Sequence, residues 1–168
     1  MSKLQEALER GEFAVTAEMA PPKGTDLSHL LECAKMCVGR VHAANVTDFQ
    51  SAVMRATSLA TCKLLKDIGL EPVIQMTGRD RNRIAIQGEM LSAGIENLLA
   101  LTGDHTSVGD HPQAKPVFDL DSVSILKTAS TLNAGTDSVG LELQGKTNFY
   151  LGACVTPEYD PIEVQLLK

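Results

Sequence analysis

The sequence predicts an α/β fold built from parallel βα repeats, and three observations carry that expectation. Between Glu71 and Asp104, an apolar run from Pro72 to Met76 ends in Thr77-Gly78 and a polar patch spans Arg79 to Arg83. Apolar residues then recur at helical spacing (Ile84, Ala85, Met90, Leu91, Ile95), and a second run, Asn97 to Leu101, closes on Thr102-Gly103-Asp104. Strand, loop, helix and strand in that order form a βαβ unit, whose crossover joins parallel strands. Comparable apolar runs recur every roughly 25 to 30 residues, the length of a βα unit rather than of a hairpin. The runs also end in small or polar residues, and ligands of parallel sheets sit beyond the carboxyl ends of the strands.

The elements follow in chain order. Residues 1–12 read as a short amphipathic helix, with Leu4, Ala7 and Leu8 on one side and Gly11 as its stop. Phe13 to Met19 is an apolar strand interrupted by one carboxylate, Glu18. Ala20-Pro-Pro-Lys-Gly24 is a rigid turn, because each proline fixes φ and removes a donor. Thr25 or Asp26 caps the next helix, with Leu27, Leu30, Leu31, Ala34 and Val38 as its inner stripe and Gly39 as its end. A second strand, Arg40 to Thr47, leads through Asp48–Ser51 into a long helix carrying Val53, Ala56, Leu59, Ala60, Leu64, Leu65 and Ile68.

After the central βαβ unit, His105 to Pro116 is polar and rich in turn formers, a long loop lying over the strand ends. A helix from about Asp119 to Leu132 and a fifth strand, Asn148 to Val155, complete the series. The last residues, Glu163 to Lys168, begin a further helical pattern. A closed eightfold barrel takes about 250 residues. Residues 1–168 therefore read as a single, partial TIM-barrel-type domain with about five of eight strands. Either it is a portion of a longer enzyme, or its open sheet edges pair with a second copy or another chain.

Composition narrows the function classes. A formal net charge of -6 with no basic cluster opposes binding of a phosphate backbone, and few aromatic residues with no tryptophan make a base-stacking surface a poor fit. No apolar run reaches membrane-spanning length, and the polar start MSKLQEALERGE lacks the apolar core of a signal peptide, so the expected compartment is cytoplasmic. The cysteines, at 33, 37, 62 and 154, have neither CxxC pairing nor zinc spacing with histidine, and read as buried, reduced thiols with no metal site.

Two carboxylates stand out. Glu18, inside an apolar strand, is costly to ionise unless paired; it is either a proton donor with a raised pKa or the partner of Lys23, Arg40 or Arg55. Asp104 follows a glycine at a strand end, where it either meets a ligand or caps a turn. Asn45, Thr47 and Asp48, Gln75 and Thr77, and Thr102 form a polar rim on the same side. His105 and His111 lie in the long loop, within reach of a ligand there. There is no phosphate-binding glycine loop and no nucleophile elbow.

The combination of Ala17-Glu18-Met-Ala-Pro-Pro22, Asn45-Val-Thr47, Asp80-Arg-Asn-Arg83 and Gly94-Ile-Glu-Asn-Leu-Leu-Ala-Leu-Thr-Gly-Asp104 resembles the methylenetetrahydrofolate reductase family, as does Gly152-Ala-Cys-Val-Thr-Pro157. The resemblance implies a flavin-containing TIM barrel that reduces 5,10-methylenetetrahydrofolate to 5-methyltetrahydrofolate. It implies FAD, with FMN as the alternative, a folate substrate, and NAD(P)H or a redox partner protein as donor. By the same resemblance Glu18 is the acid that helps open the substrate's imidazolidine ring. Asp104 is the carboxylate beside flavin and pterin, and Thr47, Asp48, Gln75, Thr102, Gly103 and Asp104 contact the flavin. Gln75 stands where many members have histidine, Thr102 where many have arginine, and Asp48 where well-known members have an aromatic residue. The family's further folate contacts lie on strands six to eight. Two other readings compete: a non-catalytic partial-barrel interaction module, and a flavin-free, pterin-binding barrel of the methyltransferase kind. Bound flavin separates the reductase from both.

Overall fold

A computed structural model describes residues 1–158 and 161–166. Its centre is a five-stranded, wholly parallel sheet in the order β1-β2-β3-β4-β5, formed by Thr16–Met19, Ala43–Val46, Pro72–Thr77, Asn97–Leu101 and Tyr150–Ala153. Helices alternate with the strands: α1 (Lys3–Glu9), α2 (Ser28–Cys37), α3 (Ser58–Asp67), α4 (Arg83–Ala93), α5 (Ser122–Ala134) and α6 (Ile162–Leu166). This is the partial TIM-barrel-like repeat expected from the strand spacing. The expected final helix is α6 as far as Leu166; Leu167 and Lys168 lie outside the described residues.

Strand alternation divides the sheet into two faces. Met19, Ala44, Val46, Ile74, Met76, Leu98 and Ala100 face the helices and join Ala34, Leu65, Ile86, Met90, Ile125 and Leu132 in the core. Glu18, Asn45, Gln75, Leu99 and Leu101 fall on the opposite parity and remain partly or fully exposed. The helix-facing side is dry and the other side is open at its carboxyl end.

The amino-terminal ends of the strands are closed by α1. Ser2 caps this helix by accepting from Gln5 N and donates its hydroxyl to Asn97 Oδ1 at 2.6 Å. Glu71 accepts from Lys3 N and Leu4 N, so a carboxylate satisfies orphan amides at the helix start. Asn97 Nδ2 donates to Glu71 Oε1, tying the plug to β4.

Several expected boundaries shift. Phe13 to Val15 are not in β1, because β2 begins only at Ala43 and the register opens at Thr16 opposite it; Phe13 is 90% exposed. In place of strand pairing, Val15 N donates to His42 Nδ1 and Val15 O accepts from His42 N. Likewise Arg40 to His42 precede β2, and Thr47 follows it. The long third helix starts at Ser58 rather than near Val53, because Thr57 caps it by accepting from Ala60 N. Asp26 does accept from Ser28 N at the start of α2, but Val38 is an exposed terminal residue rather than part of the inner stripe. In α4 the buried stripe is Ile86, Met90 and Ala93; Ile84 and Leu91 face outward. Of the thiols only Cys62 is buried; Cys33 and Cys37 are half-buried and Cys154 is exposed, all unpaired.

Candidate functional site

A cleft of about 380 Å³ opens at the carboxyl ends of β1 to β4. Glu18, Thr47, Asp48 and Gln75 line it from the first three strands, and Thr102, Gly103 and Asp104 from the end of β4. The seven residues singled out from the sequence thus meet in one place, although they are drawn from segments far apart in the chain. They differ in how free they are.

Glu18 and Asp104 are exposed to the cleft, and among the described residues neither carboxylate makes a hydrogen bond or ion pair. For Glu18 this removes the expected ion pair: it bonds none of Lys23, Arg40 and Arg55, and its side of the sheet is open. Thr47 is 2% exposed and its hydroxyl is buried without a partner among the described residues. Gln75 is half-buried at the same wall and its amide makes no hydrogen bond among the described residues.

Asp48 is different in kind. It is 2% exposed, forms a two-oxygen pair with Arg81 at 2.7 and 3.0 Å, and accepts from Thr77 N and Thr77 Oγ1. Both oxygens are engaged inside the protein, so Asp48 pins the β2 and β3 ends together rather than offering a free carboxylate. Arg81 bonds Glu89 as well, and the phenyl ring of Phe49 lies 5.8 Å from its guanidinium. The Thr102 hydroxyl is also engaged: it accepts from Ser122 N at the start of α5.

Gly103 shapes the rim through backbone geometry. Its φ of +92° is left-handed, and a Cβ there would sit 3.1 Å from Thr77 Cβ and 3.3 Å from Arg79 Cβ. The chain can therefore turn tightly over β3 and present Asp104 at the rim. On the facing side Phe49, Ser51 and Ala52, none of them glycine, also have positive φ, forming a tight turn around Gln50–Ala52.

Sequence reasoning passed over Phe49, Gln50, Ser51, Arg79 and Leu101, which complete the lining together with the expected rim residue Thr77; Asn45, expected on the same rim, does not line the cleft. For Arg79 a signal was present, a basic residue directly after the β3 end in Gly78-Arg79-Asp80-Arg81. The long loop after β4 contributes less than expected. His105 caps a short 3-10 turn, Thr106–Val108, and stacks on Phe118 at 6.3 Å between centroids. His111 bonds Asp110 at the margin of a neighbouring cleft of about 280 Å³, which shares Phe49 and Arg79 with the first.

Residues 3–138 match the family model described as Methylenetetrahydrofolate reductase. The chain belongs to the methylenetetrahydrofolate reductase family. That membership places it with folate-related oxidoreductases, and the parallel βα sheet agrees with the fold expected for it. A comparison with curated proteins finds no match. No described helix is long and apolar enough to cross a membrane.

The lining is compatible with a polar-edged cofactor: among the described residues the buried Thr47 hydroxyl has no protein partner, and a ligand heteroatom in the cleft would satisfy it. The free Gln75 amide offers a donor and an acceptor beside it.

Proposed function

We propose that the chain carries out flavin-dependent reduction of 5,10-methylenetetrahydrofolate to 5-methyltetrahydrofolate, with the 380 Å³ cleft as the site of chemistry. The observation that carries this reading is the convergence of two unpaired carboxylates, Glu18 and Asp104, on the cleft that also holds the unsatisfied Thr47 hydroxyl. Family membership supplies the reaction class.

Bound flavin, FAD or FMN, once reduced by NAD(P)H or a redox partner, would supply the hydride that the substrate's methylene carbon takes up. Thr47 and Gln75 would hold its polar edge, and Gly103 would let backbone approach it closely. Asp104, at the rim, would hold a negative charge beside both ring systems and favour positive charge developing on the substrate. Glu18 would donate the proton that opens the imidazolidine ring. Its carboxyl faces the open side of the sheet, where a seated pterin would meet it directly. Asp48 and Thr102 would act as wall, since their polar atoms are already engaged.

The test is a reoxidation measurement. The flavin-loaded chain is reduced anaerobically, mixed with 5,10-methylenetetrahydrofolate, and followed by flavin absorbance. Glu18→Gln and Asp104→Asn should each slow reoxidation by folate by about 10²–10⁴-fold, the range for removing a positioned acid or an electrostatic stabiliser, without loss of bound flavin. Unchanged rates in both variants would remove these residues from the chemistry. A folded, flavin-loaded chain that is indifferent to folate would remove the reaction.

A further inference from the structure

We propose that Arg79 is the positioning residue of this cleft, holding Asp104 on one rim and the strained Phe49 turn on the other through a single guanidinium fork. Arg79 is the largest of the fully buried side chains, at 2% exposure. Its Nε donates to both oxygens of Asp80, at 2.9 and 3.1 Å, and Nη2 to Asp80 Oδ2 at 2.7 Å. The remaining donors cross the cleft floor. Nη1 reaches Asp104 O at 3.1 Å and Nη2 reaches Phe49 O at 3.2 Å.

Both recipients depend on that fork. Asp104 makes no other hydrogen bond among the described residues, through backbone or side chain. Phe49 sits at φ 47° and ψ 50°, a conformation that a bulky residue keeps only when its surroundings impose it. Arg81 faces its ring and Arg79 holds its carbonyl. A planar guanidinium presents donors in fixed, diverging directions, whereas an ammonium is a single point of charge. Arg79 therefore sets the spacing between the two rims, a geometric task that lysine cannot perform. Asp80, with a side chain 32% exposed, neutralises the buried charge and fixes the guanidinium plane through Nε and Nη2.

The bland alternative is a buried ion pair that merely closes the β3–α4 loop. Two readouts on Arg79→Lys separate them, and the second rests on the reductase reading. The first needs no activity: amide hydrogen exchange of the folded chain. The hydrogen-bonded amides of the two tied segments, residue 53 and residues 107–109, should exchange at least about tenfold faster in Arg79→Lys, with β3 and β4 unchanged, because local opening is confined to the segments that the fork ties. Unchanged exchange in both segments overturns the proposal. The second is reoxidation by folate, expected to fall by about 10–100-fold with flavin stoichiometry intact, as for a misplacement of roughly 1 Å. In an Asp104→Asn background that penalty should shrink to less than about threefold, since coupled residues are non-additive. An equal penalty in both backgrounds also overturns it. Arg79→Met, which fills the same space without charge, gives the same readings if the lysine variant does not fold. A folded wild-type chain without flavin or turnover defeats the reductase reading alone, and the exchange result still decides Arg79.

Discussion

A carboxylate at this site is defined by its surroundings more than by its chemistry. Asp48 and Asp104 both follow strand ends and both line the cleft, yet Asp48 is saturated by Arg81 and Thr77 while Asp104 is unpaired. That difference could not be read from the chain, because the Arg81 partner lies 33 positions away and its direction depends on how β2 and β3 align. Glu18 and Asp104 were legible for a simpler reason: each is a charge at the end of an apolar run, and a parallel sheet sends all such ends to one side. Gly103 belongs with them. At φ +92°, with 3.1–3.3 Å to Thr77 and Arg79, alanine there is strained and crowded. Gly103→Ala should destabilise the fold by roughly 1–3 kcal/mol in urea unfolding and weaken flavin uptake, the strain being that of a forced left-handed residue. An unchanged unfolding midpoint would mean the rim relaxes freely.

At the scale of elements, strands were easier to place than helix faces. β4 coincides with its apolar run because both ends are marked, by Asn97 and by Thr102-Gly103. In α4 apolar residues lie on more than one side, and spacing alone selected Met90 correctly but took the outward Ile84 and Leu91 and missed the buried Ile86 and Ala93. The Asn82 cap, which accepts from Ile84 N and Ala85 N, places Ile84 in the outward first turn. The elements also carry their own pH dependence. Arg83 donates to Asp119 from its backbone N, Nε and Nη2, clamping the connection before α5 to the start of α4. The Arg83 hydrogen bonds hold the Asp119 carboxyl down at about 2, below its value near 4 in an unfolded chain. Its contribution is therefore complete above pH 4 and lost as pH falls toward 2. In urea titrations the wild-type midpoint should drop across that window more steeply than that of Asp119→Asn; parallel slopes would contradict the clamp. On α3, burial pushes the Cys62 thiol up to about 12, against a smaller lowering from its Ser58 contact. A neutral-pH thiol reagent should modify exposed Cys154 first and reach Cys62 only at the rate of unfolding. Early labelling of Cys62 would show that α3 opens.

Across the whole molecule, the helix-facing side of the sheet is packed while the cleft side is open, and Glu18, Thr47, Gln75 and Asp104, whose side chains have no partner among the described residues, lie on the open side. Parallel sheets are ordinarily covered on both faces, so a ligand on the open face would complete a surface that the described strands leave wet. The plug at the opposite end, built by Ser2, Glu71 and Asn97, keeps that opening at the carboxyl ends of the strands. Binding there must stabilise the whole fold through linkage. At about 100 times Kd the gain is roughly 2.7 kcal/mol, or a rise in Tm of about 5–10 °C for a chain of this size. The most direct test is therefore a titration of the purified chain with FAD, read by flavin absorbance and by thermal unfolding together. The cleft assignment predicts saturation at about one flavin per chain, the corresponding rise in Tm, and weaker binding in Thr47→Val, which removes the unpaired hydroxyl at nearly constant volume. A folded chain whose Tm and flavin spectrum stay unchanged through the titration would contradict it.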